Sequence, residues 1–219
     1  MYAALNFTAV WLPRIFFGLV FISVVLVYAQ MRRGKMSRKI TLRGLAIASV
    51  VFKFVYALYL SVAQYFIWRS GPLTRLLLAD SLNGLPASVT GGVAAFDGKF
   101  GYFIFYAWSH FWLDAVWSVI IAVLFWGILK LLQRYRERFF HPGETAIGFL
   151  AALIVGWPNL ILFVPLVFLS VVLVSIYRMI FLKEPYTTLG WPLLIAAVLA
   201  FAVSHFWGAA LGLQSWRIY

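Results

Sequence analysis

The chain has 219 residues, 64% of them hydrophobic and only 11% charged, with a formal net charge of +12 and no cysteine. Soluble domains carry roughly 25% charged and about 45–50% apolar residues, and a globule of this length has too little interior to hide the surplus, so a soluble fold is excluded. Without thiols there are no disulfides or thiolate metal sites, and basic residues grouped in short clusters between apolar runs are the membrane pattern rather than a nucleic-acid footprint.

The composition therefore predicts an all-α, polytopic membrane helical bundle forming a single membrane domain over residues 1–219, with the lipid bilayer as its principal partner and no nucleic acid. The first apolar run is Val10–Ala29, interrupted by Pro13 and Arg14. A basic loop with Arg32, Arg33, Lys35, Arg38, Lys39 and Arg43 follows, then a second run, Gly44–Trp68, carrying Lys53 and Gln64. Residues 70–100 are rich in Gly, Pro, Ser and Asp and do not span. Within them Pro72–Leu85 has a leucine stripe suited to lying on the membrane surface or covering helix ends. The third run, Gly101–Leu132, contains His110 and Asp114 and leads into a second basic loop with Lys130, Arg134, Arg136 and Arg138. Thr145–Val155 is a short apolar stretch closed by Gly156, Trp157 and Pro158. The fifth and sixth runs are Asn159–Leu182 and Leu189–Leu213.

A spanning helix needs about 20 apolar residues. Five runs reach that length, and Thr145–Val155 is expected as a tilted or half-buried helix that turns back at Gly156, giving six helical segments, one of them short. Lys and Arg bias sets orientation. With the N-terminus outside, the inner side holds the six basic residues of the first loop, the four of the second, Arg178 and Lys183; the outer side holds Arg69, Arg75, Lys99 and Arg217. Both termini are therefore expected on the non-cytoplasmic face of an inner (plasma) membrane. Val27-Tyr28-Ala29 resembles a signal-peptide cleavage site, but no basic residue precedes Arg14 and a basic cluster follows the run, an order that favours a retained helix.

Motifs of soluble enzymes are missing: no phosphate loop, dinucleotide fingerprint, HExxH or nucleophile elbow. His110, His141 and His205 lie on separate segments without ligand spacing, so no metal and no cofactor is expected. Trp68, Tyr102, Tyr106, Trp108, Tyr135, Trp157, Trp191, Trp207, Trp216 and Tyr219 crowd the run ends as interfacial belts do; a chromophore or quinone pocket is the sharper alternative. Charges within spans cost ~2.5–3.5 kcal/mol on insertion scales and mark pairing or function. Lys53 and Asp114 are the two deep ones, with backbones about 9 Å apart in depth at 1.5 Å per residue; the long Lys53 stem favours snorkelling to the interface over direct pairing with Asp114. Glu144 is a third carboxylate, where the second basic loop leads into the short segment.

The stretch His141-Pro-Gly-Glu-Thr-Ala-Ile-Gly-Phe-Leu-Ala-Ala-Leu-Ile-Val-Gly-Trp-Pro158 resembles the second catalytic motif of prepilin peptidases, the type IV leader peptidases: Gly-Asp opening a short helix, an Ala-Ala-Leu-like run, then Gly-Trp. Gly143-Glu144 takes the Gly-Asp place and Gly156-Trp157 falls at the matching distance. Pro185-Tyr-Thr-Thr-Leu-Gly-Trp-Pro192 is similar to the family's Pro-Phe-Gly-Pro segment, Phe111–Val119 to the helix before the motif, and Asp80 with Leu85-Pro86 to its first catalytic motif. The likeness covers Asp80 to Leu199. It implies a divergent membrane aspartic-peptidase core with Glu144, Asp80 and Asp114 as candidate catalytic carboxylates, serving a pilus or secretion system and meeting pilin-like helices. Glutamate in place of aspartate moves the carboxylate about one bond outward. A misplacement of order 1 Å costs ~10²-fold in rate, so the same resemblance implies degenerate catalysis. Two other readings compete: a non-enzymatic subunit or scaffold of a larger membrane complex, and a small transporter or ion pathway using Lys53, Asp114 and Glu144.

Overall fold

A computed structural model describes residues 2–33, 39–79, 99–135, 140–183 and 188–207. Among these, every regular element is a helix: α1 Tyr2–Arg32, α2 Lys39–Ser70, α3 Thr74–Ala79, α4 Gly101–Tyr135, α5 Glu144–Val155, α6 Leu160–Leu182 and α7 Gly190–Trp207. Helices are what an apolar chain forms in lipid, because each backbone N–H and C=O is satisfied within its own segment. Five of them, α1, α2, α4, α6 and α7, are long and apolar enough to cross a membrane, and α5 is the short sixth. The chain is thus a multi-pass helical membrane protein. Of the stretch 72–85, expected to lie on the membrane surface or cover helix ends, residues 72–79 are described, with α3 over Thr74–Ala79; Leu73 and Leu76 are exposed and Leu78 is buried. Asp80, the loop cations Lys35, Arg38, Arg136 and Arg138, and the terminal Trp216 and Tyr219 lie outside the described residues.

The helices belong to two compact units. The first comprises 1–11, 53–116 and 218–219; the second comprises 12–52 and 117–217. In the first unit the Thr8 hydroxyl meets the Tyr59 hydroxyl at 2.7 Å, and Trp112 Nε1 donates to Ser61 Oγ at 3.1 Å. Trp68, almost fully buried, packs on Tyr102, Phe103 and Tyr106. At least one expected belt residue is therefore an interior packing residue. α4 passes through a π-helical turn at Trp108–Trp112, where the His110 ring stacks on Tyr106 at 4.1 Å.

The second unit is built around α5. Twelve residues rise only about 18 Å, short of the roughly 30 Å hydrocarbon core, so this helix cannot span and is enclosed by protein instead. Ten of its twelve residues are buried, more than the half-buried helix the sequence suggests. One face, Ile147, Leu150 and Ile154, packs with Val20, Val24 and Val27 of α1, Leu42 of α2 and Leu194 of α7. The other face, Ala151, Ala152, Leu153 and Val155, packs with Ala122 and Leu129 of α4, Phe163 of α6 and Ala196, Ala197 and Ala200 of α7. The many alanines let backbones approach closely, which is how helices gain packing when lipid removes the hydrophobic drive between them. α6 and α7 form an extensive pair, tied by Ser170 Oγ donating to the Pro192 carbonyl at 2.8 Å.

Candidate functional site

Glu144 is the first residue of α5 and is fully buried. Gly143 precedes it in a left-handed conformation, φ 95°, and a Cβ there would stand 2.9 Å from Met31 Cε. A glycine tolerates that φ at no steric cost. The turn is closed by Glu144 N–H donating to the His141 carbonyl at 3.1 Å, and His141 N–H returns a bond to Glu144 Oε2 at 3.0 Å. The carboxylate thus satisfies a backbone donor three residues back, as the glutamate of a capping box does, although here Gly143 is the N-cap and the return bond goes to a backbone carbonyl. An acidic group in the first turn also gains from the helix dipole.

Two long-range donors complete the shell. The Tyr28 hydroxyl, from α1, donates to Glu144 Oε1 at 2.7 Å, and Leu189 N–H, just before α7, donates to Oε2 at 3.1 Å. The Tyr28 hydroxyl also lies 3.4 Å from Thr188 Oγ1, which Arg32 Nη1 reaches at 3.5 Å. Tyr28 is itself fully buried, with its ring edge-on to Trp191 at 5.5 Å. Gly190 leaves room for that ring, since a Cβ there would meet Tyr28 Cζ at 2.2 Å. One carboxylate therefore joins α1, the turn before α5 and the start of α7.

Chemically, an ionised carboxylate offers about four acceptor positions. Three are occupied by protein donors, and the group has no solvent exposure. Charge-assisted bonds of this kind compensate a buried anion. Among the described residues the donors to this carboxylate are neutral, and Arg32 is linked to it through Thr188 and Tyr28; Arg136 and Arg138 of the basic loop before α5 lie outside the described residues. In the second unit Glu144 is the single carboxylate side chain among the described residues.

The other candidates fall elsewhere. Gly156 and Trp157 end α5 as their spacing suggests. Gly156 has φ 64° and ψ 174°, and its carbonyl accepts the Leu160 N–H that starts α6. Lys53 and Asp114 both belong to the first unit, Lys53 half-buried and Asp114 exposed, close enough to interact electrostatically. Asp80 is outside the described residues. No group of three or more His, Cys, Asp or Glu that could hold a metal occurs among the described residues. Sequence reasoning missed Tyr28, Thr188 and Leu189. The one local signal was a tyrosine one helical turn before Arg32, at the end of an otherwise apolar run. No protein family, curated protein or solved structure matches the chain.

Proposed function

We propose that this protein is a non-catalytic membrane subunit: a prepilin-peptidase-like helical core in which the carboxylate at the catalytic position has become a structural tie, and which engages apolar helices of a pilus or secretion system laterally. The observation that supports this reading is the saturated shell of Glu144. Aspartic proteolysis needs two carboxylates that share a proton and a water, with their pKa values forced apart. Glu144 instead spends three acceptor positions on a phenol and two backbone amides and is closed to solvent.

Lateral engagement is supported by the outer faces of the spans. Phe168, Leu169, Val172 and Leu173 on α6 are all exposed, a surface equally suited to lipid and to another apolar helix. The test is co-reconstitution with a type IV pilin precursor in liposomes. Uncleaved precursor should crosslink to positions such as Leu173 in the unaltered chain and in Glu144→Gln alike. Cleavage at the leader boundary that disappears in Glu144→Gln would overturn the proposal, and absence of any crosslink would remove the helix-binding part of it.

A further inference from the structure

The second unit contains a cavity of about 760 Å³ at the end of the helices where α5 starts. Arg43 of α2 and Lys130 of α4 both line it, with Gln133 beside them. Among the described residues no acidic side chain lines it, and the Glu144 carboxylate is turned inward to Tyr28 and the backbone amides. Lys130 Nζ contacts Gln133 Oε1 at 3.4 Å and stands 6.0 Å from the centre of the Trp126 ring, so the cation is held over this opening.

Polarity is graded along the helix axes. Arg43 lies in the second turn of α2 and Lys130 five residues, about one and a half turns, before the end of α4. Deeper in the same cavity the walls are apolar: Val123, seven residues or about 10 Å further along α4, and Phe149 of α5. A free inorganic anion would fill only the charged half. An anionic head joined to hydrocarbon fills both. The volume is in the range of ligand cavities, about 300–1,000 Å³, and basic pockets between spans are where lipid head groups bind.

We infer that this cavity is a binding site for an anionic phospholipid, its phosphate held by Arg43 and Lys130 and the upper part of its acyl chains against Val123 and Phe149. The site is distinct from Glu144 and independent of whether the chain ever engages a pilin-like helix.

The test is native mass spectrometry of the full chain in detergent micelles with added phosphatidylglycerol or phosphatidylcholine. Phosphatidylglycerol should be retained in preference to phosphatidylcholine. Its retention should fall about five-fold for each cation removed in Arg43→Gln and Lys130→Gln. The charge-conserving pair Arg43→Lys with Lys130→Arg should keep most of it, as should Arg75→Gln in the first unit. Excess inorganic phosphate should not displace the lipid. Equal retention of the two lipids, or unchanged phosphatidylglycerol retention in the double glutamine variant, would overturn the site; displacement by phosphate would assign it to a free anion. A second measurement needs no charge-removing variant: at equal mole fraction, brominated phosphatidylglycerol should quench the Trp126 fluorescence, taken as the difference from Trp126→Phe, more than brominated phosphatidylcholine does. Equal quenching counts against the site.

Discussion

The hydroxyl of Tyr28 donates to Oε1 of Glu144 at 2.7 Å, joining residues 116 positions apart inside the buried centre of the second unit. An isolated carboxylate in such a place carries a desolvation cost that only hydrogen bonds or counter-charge offset. Here the offset is one phenol and two amide N–H groups, which makes Tyr28 the side chain on which the tie depends most.

Tyr28→Phe removes that donor and leaves the ring free to pack against Trp191. Hydrogen bonds to charged groups contribute about 1.5–3 kcal/mol each, so unfolding in mixed micelles should show a loss of that size. The double variant with Glu144→Ala should lose less than the sum of the singles, since both remove one interaction. Strict additivity would mean that the two groups do not act together.

Gly190→Ala should damage the same tie from the opposite side. Its Cβ would stand 2.2 Å from Tyr28 Cζ and 2.3 Å from the hydroxyl oxygen, so the ring must leave its place. Overpacking costs about 1–3 kcal/mol, and the displaced hydroxyl loses Glu144 as well. Because the nearest atom is a ring carbon, Tyr28→Phe should fail to rescue Gly190→Ala, whereas Tyr28→Leu should recover part of the packing term. Full stability of Gly190→Ala alone would contradict this packing.

Orientation is open to a direct test because the chain has no cysteine of its own. A single cysteine near Gly92 should be labelled by an impermeant maleimide added outside the cell, and one at Lys35 should not. The reverse pattern would invert the topology inferred from the basic loops.

What was legible in the sequence follows from period and polarity. Apolar runs of about 20 residues give the spans, Pro142-Gly143 gives the start of α5, and Gly156 gives its end, because these are local demands of lipid and of backbone dihedral angles. The inward burial of Glu144 was also readable, since an acid in the first turn of an apolar helix gains little by facing lipid. Its partners were not. Tyr28 and Leu189 meet Glu144 through tertiary packing, 116 and 45 positions away, and leave no periodic trace. Tyr28 even sits in Val27-Tyr28-Ala29, a tripeptide with the look of a cleavage site. The donors described at Glu144 are two amides and a phenol, neutral groups that a count of nearby charges does not reveal. Lys53 and Asp114 were legible as charges within spans, but not that Asp114 is exposed while Lys53 is half-buried.

The thermal stability of Glu144→Ala and Glu144→Gln, measured side by side in detergent, bears most directly on the role of this carboxylate. Catalytic groups are commonly held at a cost in stability, so removing one tends to raise the midpoint. A structural tie gives the opposite sign. Glu144→Ala strands two backbone donors and a phenol, at about 1–3 kcal/mol for each unsatisfied group, and should lower the midpoint sharply. Glu144→Gln should lower it only slightly, because its amide oxygen can serve the His141 and Leu189 N–H groups while its NH₂ donates to the Tyr28 hydroxyl. A midpoint unchanged or raised in Glu144→Ala would contradict the structural role and return Glu144 to the candidate catalytic carboxylates.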